Sequence, residues 1–191
     1  MPSRRSSASA PPVSKAAPPP SAATPNAPVL RTEPTHAQVL ELLDRAQALA
    51  QKAMVAGHHP FGALLVAPDH ATVLLEQGNV DSVNHAEAVL AREAARRFPR
   101  DALWGCTLVT TVEPCAMCAG TQYWAHIGRT VYGIAEKTLL DITGSHPENP
   151  TLDLPCRHVF GHGQKDVRVI GPVPEREEPI AAMHRRYWKS R

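Results

Sequence analysis

His85-Ala86-Glu87 and Pro114-Cys115-Ala116-Met117-Cys118 together carry one imidazole, two thiols and one carboxylate. Zinc accepts His nitrogen and Cys sulfur, and a catalytic zinc site keeps one position open for water. His85, Cys115 and Cys118 are therefore candidate Zn2+ ligands. A zinc ion brings the pKa of a water towards neutrality and so prepares a nucleophile. Glu87 stands two residues from His85, within reach of that water without being a ligand. A carboxylate held there can take a proton from water and deliver it to a substrate nitrogen, which makes Glu87 the candidate catalytic acid and base. Two other readings use fewer of these residues. A closed structural zinc site needs a fourth protein ligand, for which Cys106 or Cys156 is available in principle. A redox C-x-x-C pair leaves His85 and Glu87 without a task.

The surrounding pattern places both motifs at helix starts. Val39, Leu42, Leu43, Ala46, Leu49 and Ala50 recur at helical spacing, which predicts a first helix over Thr35 to Val55, with Thr35 as N-cap and Gly57 as its stop. Phe61 to Val66 and Thr72 to Leu75 read as strands joined by the turn formers Pro68 and Asp69. A second helix is expected from about His85 to Arg97, ending before Phe98-Pro99. Thr107 to Val112 is a β-branched run suited to a central strand. Pro114 suits the first turn of a third helix, which continues to about Ala125. Thr130 to Ile134 and Val167 to Ile170 read as further strands. Glu175 to Trp188 reads as a last helix, with acids early and bases late. Helix N-termini on both ligand segments favour thiolate over thiol. The alternation of helices and strands indicates an α/β layer fold. Asp141 to Gly163 is interrupted by three prolines and three glycines and is expected to cover the pocket or a subunit interface.

Residues 1–32 form a different region, rich in Pro, Ser and Ala and without acidic residues. They offer few large apolar side chains to offset chain entropy, and a disordered tail is expected before one domain at 33–191. An organelle transit peptide shares this composition, but it needs an amphipathic helix that the prolines oppose. A net charge of +2 argues against a surface devoted to nucleic acid. No run of eighteen apolar residues exists, so no membrane span is expected. Four cysteines in a chain of this size, two of them in one C-x-x-C pair, suit a reduced and cytoplasmic setting.

At these residues the chain resembles the cytidine-deaminase-like superfamily, whose zinc enzymes carry H-x-E and P-C-x-x-C. It is most similar to guanine deaminases, fungal cytosine deaminases and tRNA adenosine deaminases. Pro60-Phe61-Gly62-Ala63 and Tyr123-Trp124-Ala125 resemble the guanine deaminases. Glu113-Pro114-Cys115-Ala116-Met117-Cys118-Ala119-Gly120 is shared with the tRNA enzymes. The resemblance implies a three-layer α/β/α fold with a central mixed sheet of about five strands, and a homodimer. It also implies a substrate contact at Asn79, in the G-x-N of Gln77-Gly78-Asn79, although Gly78-Asn79 suits a tight turn equally well. Only Val80-Asp81-Ser82-Val83-Asn84 separates Asn79 from His85, where many relatives have a longer loop. Asn84 is thus a second candidate for the same wall.

The reaction expected from motifs and resemblance is hydrolytic deamination of a nitrogen heterocycle, with release of ammonia. A small heterocyclic base or nucleoside is favoured, guanine first, over cytosine, other purines and pterins. Fungal cytosine deaminases carry an acidic residue shortly after a C-terminal Trp, whereas Lys189-Ser190-Arg191 follow Trp188 here. A tRNA adenosine deaminase and a non-catalytic subunit of the same fold are the alternatives. Among the remaining residues, His58-His59 is expected in an exposed loop and Trp124 in the core. Tyr187 and Trp188 are expected to pin the last helix or to cap a pocket.

Overall fold

Thr35 begins the first helix with a reciprocal cap: its hydroxyl accepts from Gln38 N–H, and its own N–H donates to the Gln38 side chain at 2.8 Å. The chain is described by a computed structural model covering residues 32–189. The notional tail at 1–32 lies outside the described residues except for Thr32. That residue is docked: its carbonyl accepts from Arg129 at 2.7 Å, so the folded unit already includes it. From the cap runs α1 (His36–Val55), then a hairpin of β1 (Gly62–Val66) and β2 (Val73–Gly78), then α2 (Ala86–Arg97) and α3 (Arg100–Gly105). β3 (Thr107–Val112), α4 (Ala116–Ala125), β4 (Arg129–Ile134) and α5 (Glu136–Thr143) follow. α6 (Cys156–Gly161), β5 (Arg168–Ile170) and α7 (Pro174–Lys189) complete the described order.

The five strands form one mixed sheet in the order β2-β1-β3-β4-β5. β1 is antiparallel to β2 and β3, while β3, β4 and β5 run parallel. Register makes the two faces consistent. Leu64, Val109 and Val131 align on one side, and with Val66 they meet Leu43 and Ala46 of α1. Leu65 and Leu108 align on the other and meet Leu90, Ala91 and Ala94 of α2. Helices on both sides of a mixed sheet give the three layers that the sequence implies. The contact of α1 with β1 is close enough to require a glycine: a methyl group at Gly62 would fall on Ala46 O and Ala50 N of the helix backbone.

Several elements differ from the sequence expectation. β2 continues to Gly78 because Gln77 and Gly78 still pair with Ala63 and Gly62. Phe98-Pro99 ends α2 but does not end helix: Pro99 stands at the N-cap of α3, before the first turn. Pro114 lies outside α4, whose N-cap is Cys115. The stretch expected to be irregular contains the end of α5 and all of α6.

Candidate metal centre and pocket

β3 and β4 are parallel neighbours with Val112 opposite Ile134, so the chain leaves both strands at one edge of the sheet. From β3, Glu113-Pro114 leads to Cys115 at the N-cap of α4, and His85 is the N-cap of α2. An N-cap residue ordinarily folds its side chain back onto its own helix. Neither His85 nor Cys115 makes that bond. Each reaches across instead: His85 Nδ1 lies 3.6 Å from Cys115 Sγ and 3.5 Å from Cys118 Sγ. The three ligand atoms fall within 4.8 Å of one another. The sequence's candidate ligands are thus together, brought there by two helix starts. Cys106 and Cys156 are elsewhere. The Cys106 thiol bonds Ala102 O, and Cys156 opens α6, its N–H donating to Glu113 Oε1 at 2.9 Å. Among the described residues, neither supplies the fourth ligand of a closed site. One imidazole and two thiols at this spacing, without a fourth donor in the cluster among the described residues, fit a zinc ion with an open position.

Glu87 stands beside this cluster, 4% exposed, with Oε2 3.5 Å from Cys118 Sγ. Thr110 on β3 donates to its other oxygen at 2.7 Å. Burial pushes the Glu87 carboxyl above its usual range, opposed by His85 and by the Thr110 bond. Cys115 is pulled down to about 4, chiefly by a bond from the Cys118 thiol, with His85 helping. Cys118 moves the other way, through Cys115 and burial, and Cys115 raises the His85 imidazole. Three further residues complete the surroundings, and the sequence reading did not select them for this role. Thr110 is one of three threonines in β3, and its bond to Glu87 places it on the face towards α2. Phe61 stacks on His85, ring centroids 6.3 Å apart and nearly parallel. Glu136, at the start of α5, is buried with Oε2 lacking a hydrogen-bond partner. Burial, then Cys115, Glu113 and Glu87, push its carboxyl up to about 9.

A cavity of about 560 Å³ is lined in part by His58, His59, Asn79, Asp81 and Glu148; His85, Glu87, Cys115 and Cys118 are not among its lining residues. Ser82, also in its wall, bonds His85 through its backbone. Asn79 is 2% exposed. Its Nδ2 donates to Asp81 O at 3.2 Å, and its Oδ1 is buried without a hydrogen-bond partner. Asn84, the rival candidate, is absorbed in bracing the loop: its N–H and side chain both donate to the Asp81 carboxylate. Pro147, Glu148 and Pro150, from the irregular part of the Asp141–Gly163 segment, border this cavity. His59 is not an exposed loop residue. Its ring packs against Phe61, Tyr187 and Trp188, and its Nε2 lies 3.6 Å from Glu148. Trp188 and Tyr187 are buried, as expected of residues that pin a last helix. Trp124 is a correction: it is 80% exposed, because α4 buries Cys118, Ala119, Gln122 and Ala125 and turns residue 124 outward. A second cavity, of about 450 Å³ beside β5, contains none of the candidate catalytic residues.

The chain belongs to the cytidine and deoxycytidylate deaminase family: the sequence model of its zinc-binding region matches residues 37–134. Among its relatives, the probable cytosine deaminase of Schizosaccharomyces pombe is 34% identical over 153 residues, covering 78% of this chain and 91% of that protein. The guanine deaminase of Bacillus subtilis is 40% identical over 101 residues, covering 50% of this chain and 64% of that one. In three dimensions the chain is similar to the guanine deaminase of Nitrosomonas europaea, with a TM-score of 0.63 and 20% identity over 78% of this chain and 83% of that one. That likeness establishes a shared fold.

Proposed function

We propose that this protein is a zinc-dependent aminohydrolase that releases ammonia from a nucleobase or nucleoside, with a guanine-type ring favoured. The observation that carries the reading is the convergence of His85, Cys115 and Cys118 within 4.8 Å, with the buried Glu87 carboxyl alongside. His85, Cys115 and Cys118 would hold the zinc ion, which when bound supplies Lewis acidity towards water. Glu87 would carry one proton from the attacking water to the ring nitrogen and a second, from the added hydroxyl, to the amine that leaves as ammonia, its reach fixed by the Thr110 hydroxyl. Its burial supports this, since a raised carboxyl pKa lets one group both take and give a proton near neutral pH.

Asn79 would read the ring edge. Asp81 O requires a donor, which assigns Nδ2 to it, and the buried Oδ1 without a hydrogen-bond partner would be the group offered to substrate. An acceptor matches the N–H and amino groups of guanine better than the bare ring nitrogens of adenine. The similarity to the Bacillus enzyme supports the same choice. The Schizosaccharomyces relative, matched over 91% of its length, favours cytosine as a second reading. RNA fits less well: among the described residues, Asp81 and Glu148 line the cavity and no Lys or Arg does. The test is ammonia release by zinc-loaded protein from guanine, guanosine, cytosine, cytidine and transcript tRNA. Release from a guanine compound supports the proposal, whereas release from cytosine or tRNA alone overturns its substrate.

A homodimer completes the proposal. Trp124 and Val83 expose large apolar surfaces, 80% and 60% accessible, which a second copy would cover. The four cysteines are all free thiols, which supports a reducing compartment, the cytoplasm. No described helix is long and apolar enough to cross a membrane.

A further inference from the structure

We infer that Asp81 is a positioning residue for the metal centre: its carboxylate locks the link between β2 and α2 into one turn, and that turn fixes how His85 enters the cluster. This inference rests on the zinc-binding role proposed above for His85, Cys115 and Cys118.

The three candidate ligands are not equally well supported by the elements that carry them. Cys115 and Cys118 follow β3, which is buried along its whole length, and Cys118 itself is buried. His85 follows Val80-Asp81-Ser82-Val83-Asn84, a link that leaves β2 at the edge of the sheet. Asp81, Ser82 and Val83 are exposed, so little packing holds this link, and it contains no proline to stiffen it. His85 is moreover an N-cap without a side-chain bond to its own helix. Hydrogen bonds must therefore hold the backbone that delivers the imidazole.

Those bonds converge on Asp81. Its Oδ1 accepts from Val83 N–H at 2.8 Å and from Asn84 N–H at 2.7 Å, and its Oδ2 accepts from the Asn84 amide at 2.9 Å. Val80 N–H donates to Asn84 O at 3.1 Å and closes the turn. Both ends are latched. Asn79 N–H donates to Phe61 O at 2.9 Å, and Asn79 Nδ2 donates to Asp81 O at 3.2 Å. At the other end, Arg92 of α2 donates to Asn84 Oδ1 at 3.4 Å. The turn then acts on the ligand in two ways. Asn84 is covalently joined to His85 and sets the course of its backbone. Ser82, inside the turn, bonds the imidazole through its backbone while Nδ1 faces both sulfurs. A metal-binding imidazole that is also bonded to a backbone carbonyl keeps one ring orientation, and losing such a support costs about 10–100-fold in metal affinity.

The experiment measures zinc affinity by competition with a chelator, together with the Tm of the zinc-free protein, for the full chain and its Asp81→Ala and Asp81→Asn variants. Asp81 is exposed, so both variants are expected to fold and to keep the wild-type zinc-free Tm. Asp81→Ala removes all three side-chain bonds and is expected to weaken zinc binding about tenfold or more. Asp81→Asn keeps an oxygen for Val83 N–H and Asn84 N–H and is expected to stay within about threefold of wild type. Wild-type affinity in Asp81→Ala overturns the inference and leaves the ligand assignment intact. A weaker affinity matched by a lower zinc-free Tm makes Asp81 a folding residue and also overturns it. So does an Asn variant as weak as the Ala variant, which places the effect in charge rather than in the turn. A wild-type chain that takes up no zinc overturns the ligand assignment and the inference with it.

Discussion

Glu87 is buried where an ionised carboxylate is costly, yet it sits among groups that interact with its charge. His85 draws its pKa down, burial draws it up, and Thr110 orients it. Glu87→Ala is expected to retain zinc by metal analysis and to lose about 10²–10⁴-fold in kcat. Thr110→Val keeps the carboxylate and removes only its orienting bond. A fall of about tenfold in kcat with little change in KM is expected from steady-state kinetics. His184 provides a pH effect separate from the metal ligands. It is fully buried on α7, its Nδ1 accepts from Trp188 Nε1 at 3.3 Å, and burial with a neighbouring His59 drops its pKa to about 3. The unfolded chain binds a proton here near pH 6.5, while the folded chain refuses it until about 3. Stability is therefore complete above 6.5 and lost as pH falls, by at most about 1.4 kcal/mol per pH unit. In melting curves at equal zinc loading, His184→Gln is expected to show a smaller drop in Tm between pH 7 and 5 than the parent. The cluster of His85, Cys115 and Cys118 and the neighbouring Glu87 were legible in the sequence as candidates because their types and short spacings suggest a shared chemistry. Phe61 and Glu136 were not, since only the sheet brings β1 and the start of α5 to the same edge.

At the scale of elements, caps and periodicity carried the reading where an element is long enough to show them. Thr35 and the apolar stripe announce α1, and α2, α4 and α7 show comparable stripes. α3 and α6 span six residues each, less than two turns, and show no period to read. Trp124 shows the limit of residue type as a guide: an aromatic suggests core, but the stripe of α4 decides otherwise. The packing of α1 on β1 gives a sharp prediction. Gly62→Ala sets a methyl against the backbone of α1, which cannot yield as a side chain can. A loss of about 1–3 kcal/mol is expected, read as a fall of several degrees in Tm. Because β1 is continuous with Phe61, which stacks on His85, the same variant is expected to weaken zinc retention in a competition with a chelator.

The whole molecule gathers two helix starts at one edge of the sheet, and the end of β2 and the irregular segment border one cavity. Its outer surface carries the other proposal. Trp124→Ser is expected to shift the protein from dimer to monomer in sedimentation, with the zinc content of each chain unchanged. The central claim is that three protein ligands hold a zinc ion and Glu87 moves the protons of a hydrolytic deamination. The most direct measurement is ammonia release alongside zinc content for the wild type, for the chelator-treated protein and for Glu87→Gln. About one zinc per chain is expected in wild type and variant, with ammonia from the wild type alone and recovery of the stripped protein on adding zinc. Turnover by zinc-free protein, or by Glu87→Gln at the wild-type rate, would contradict it.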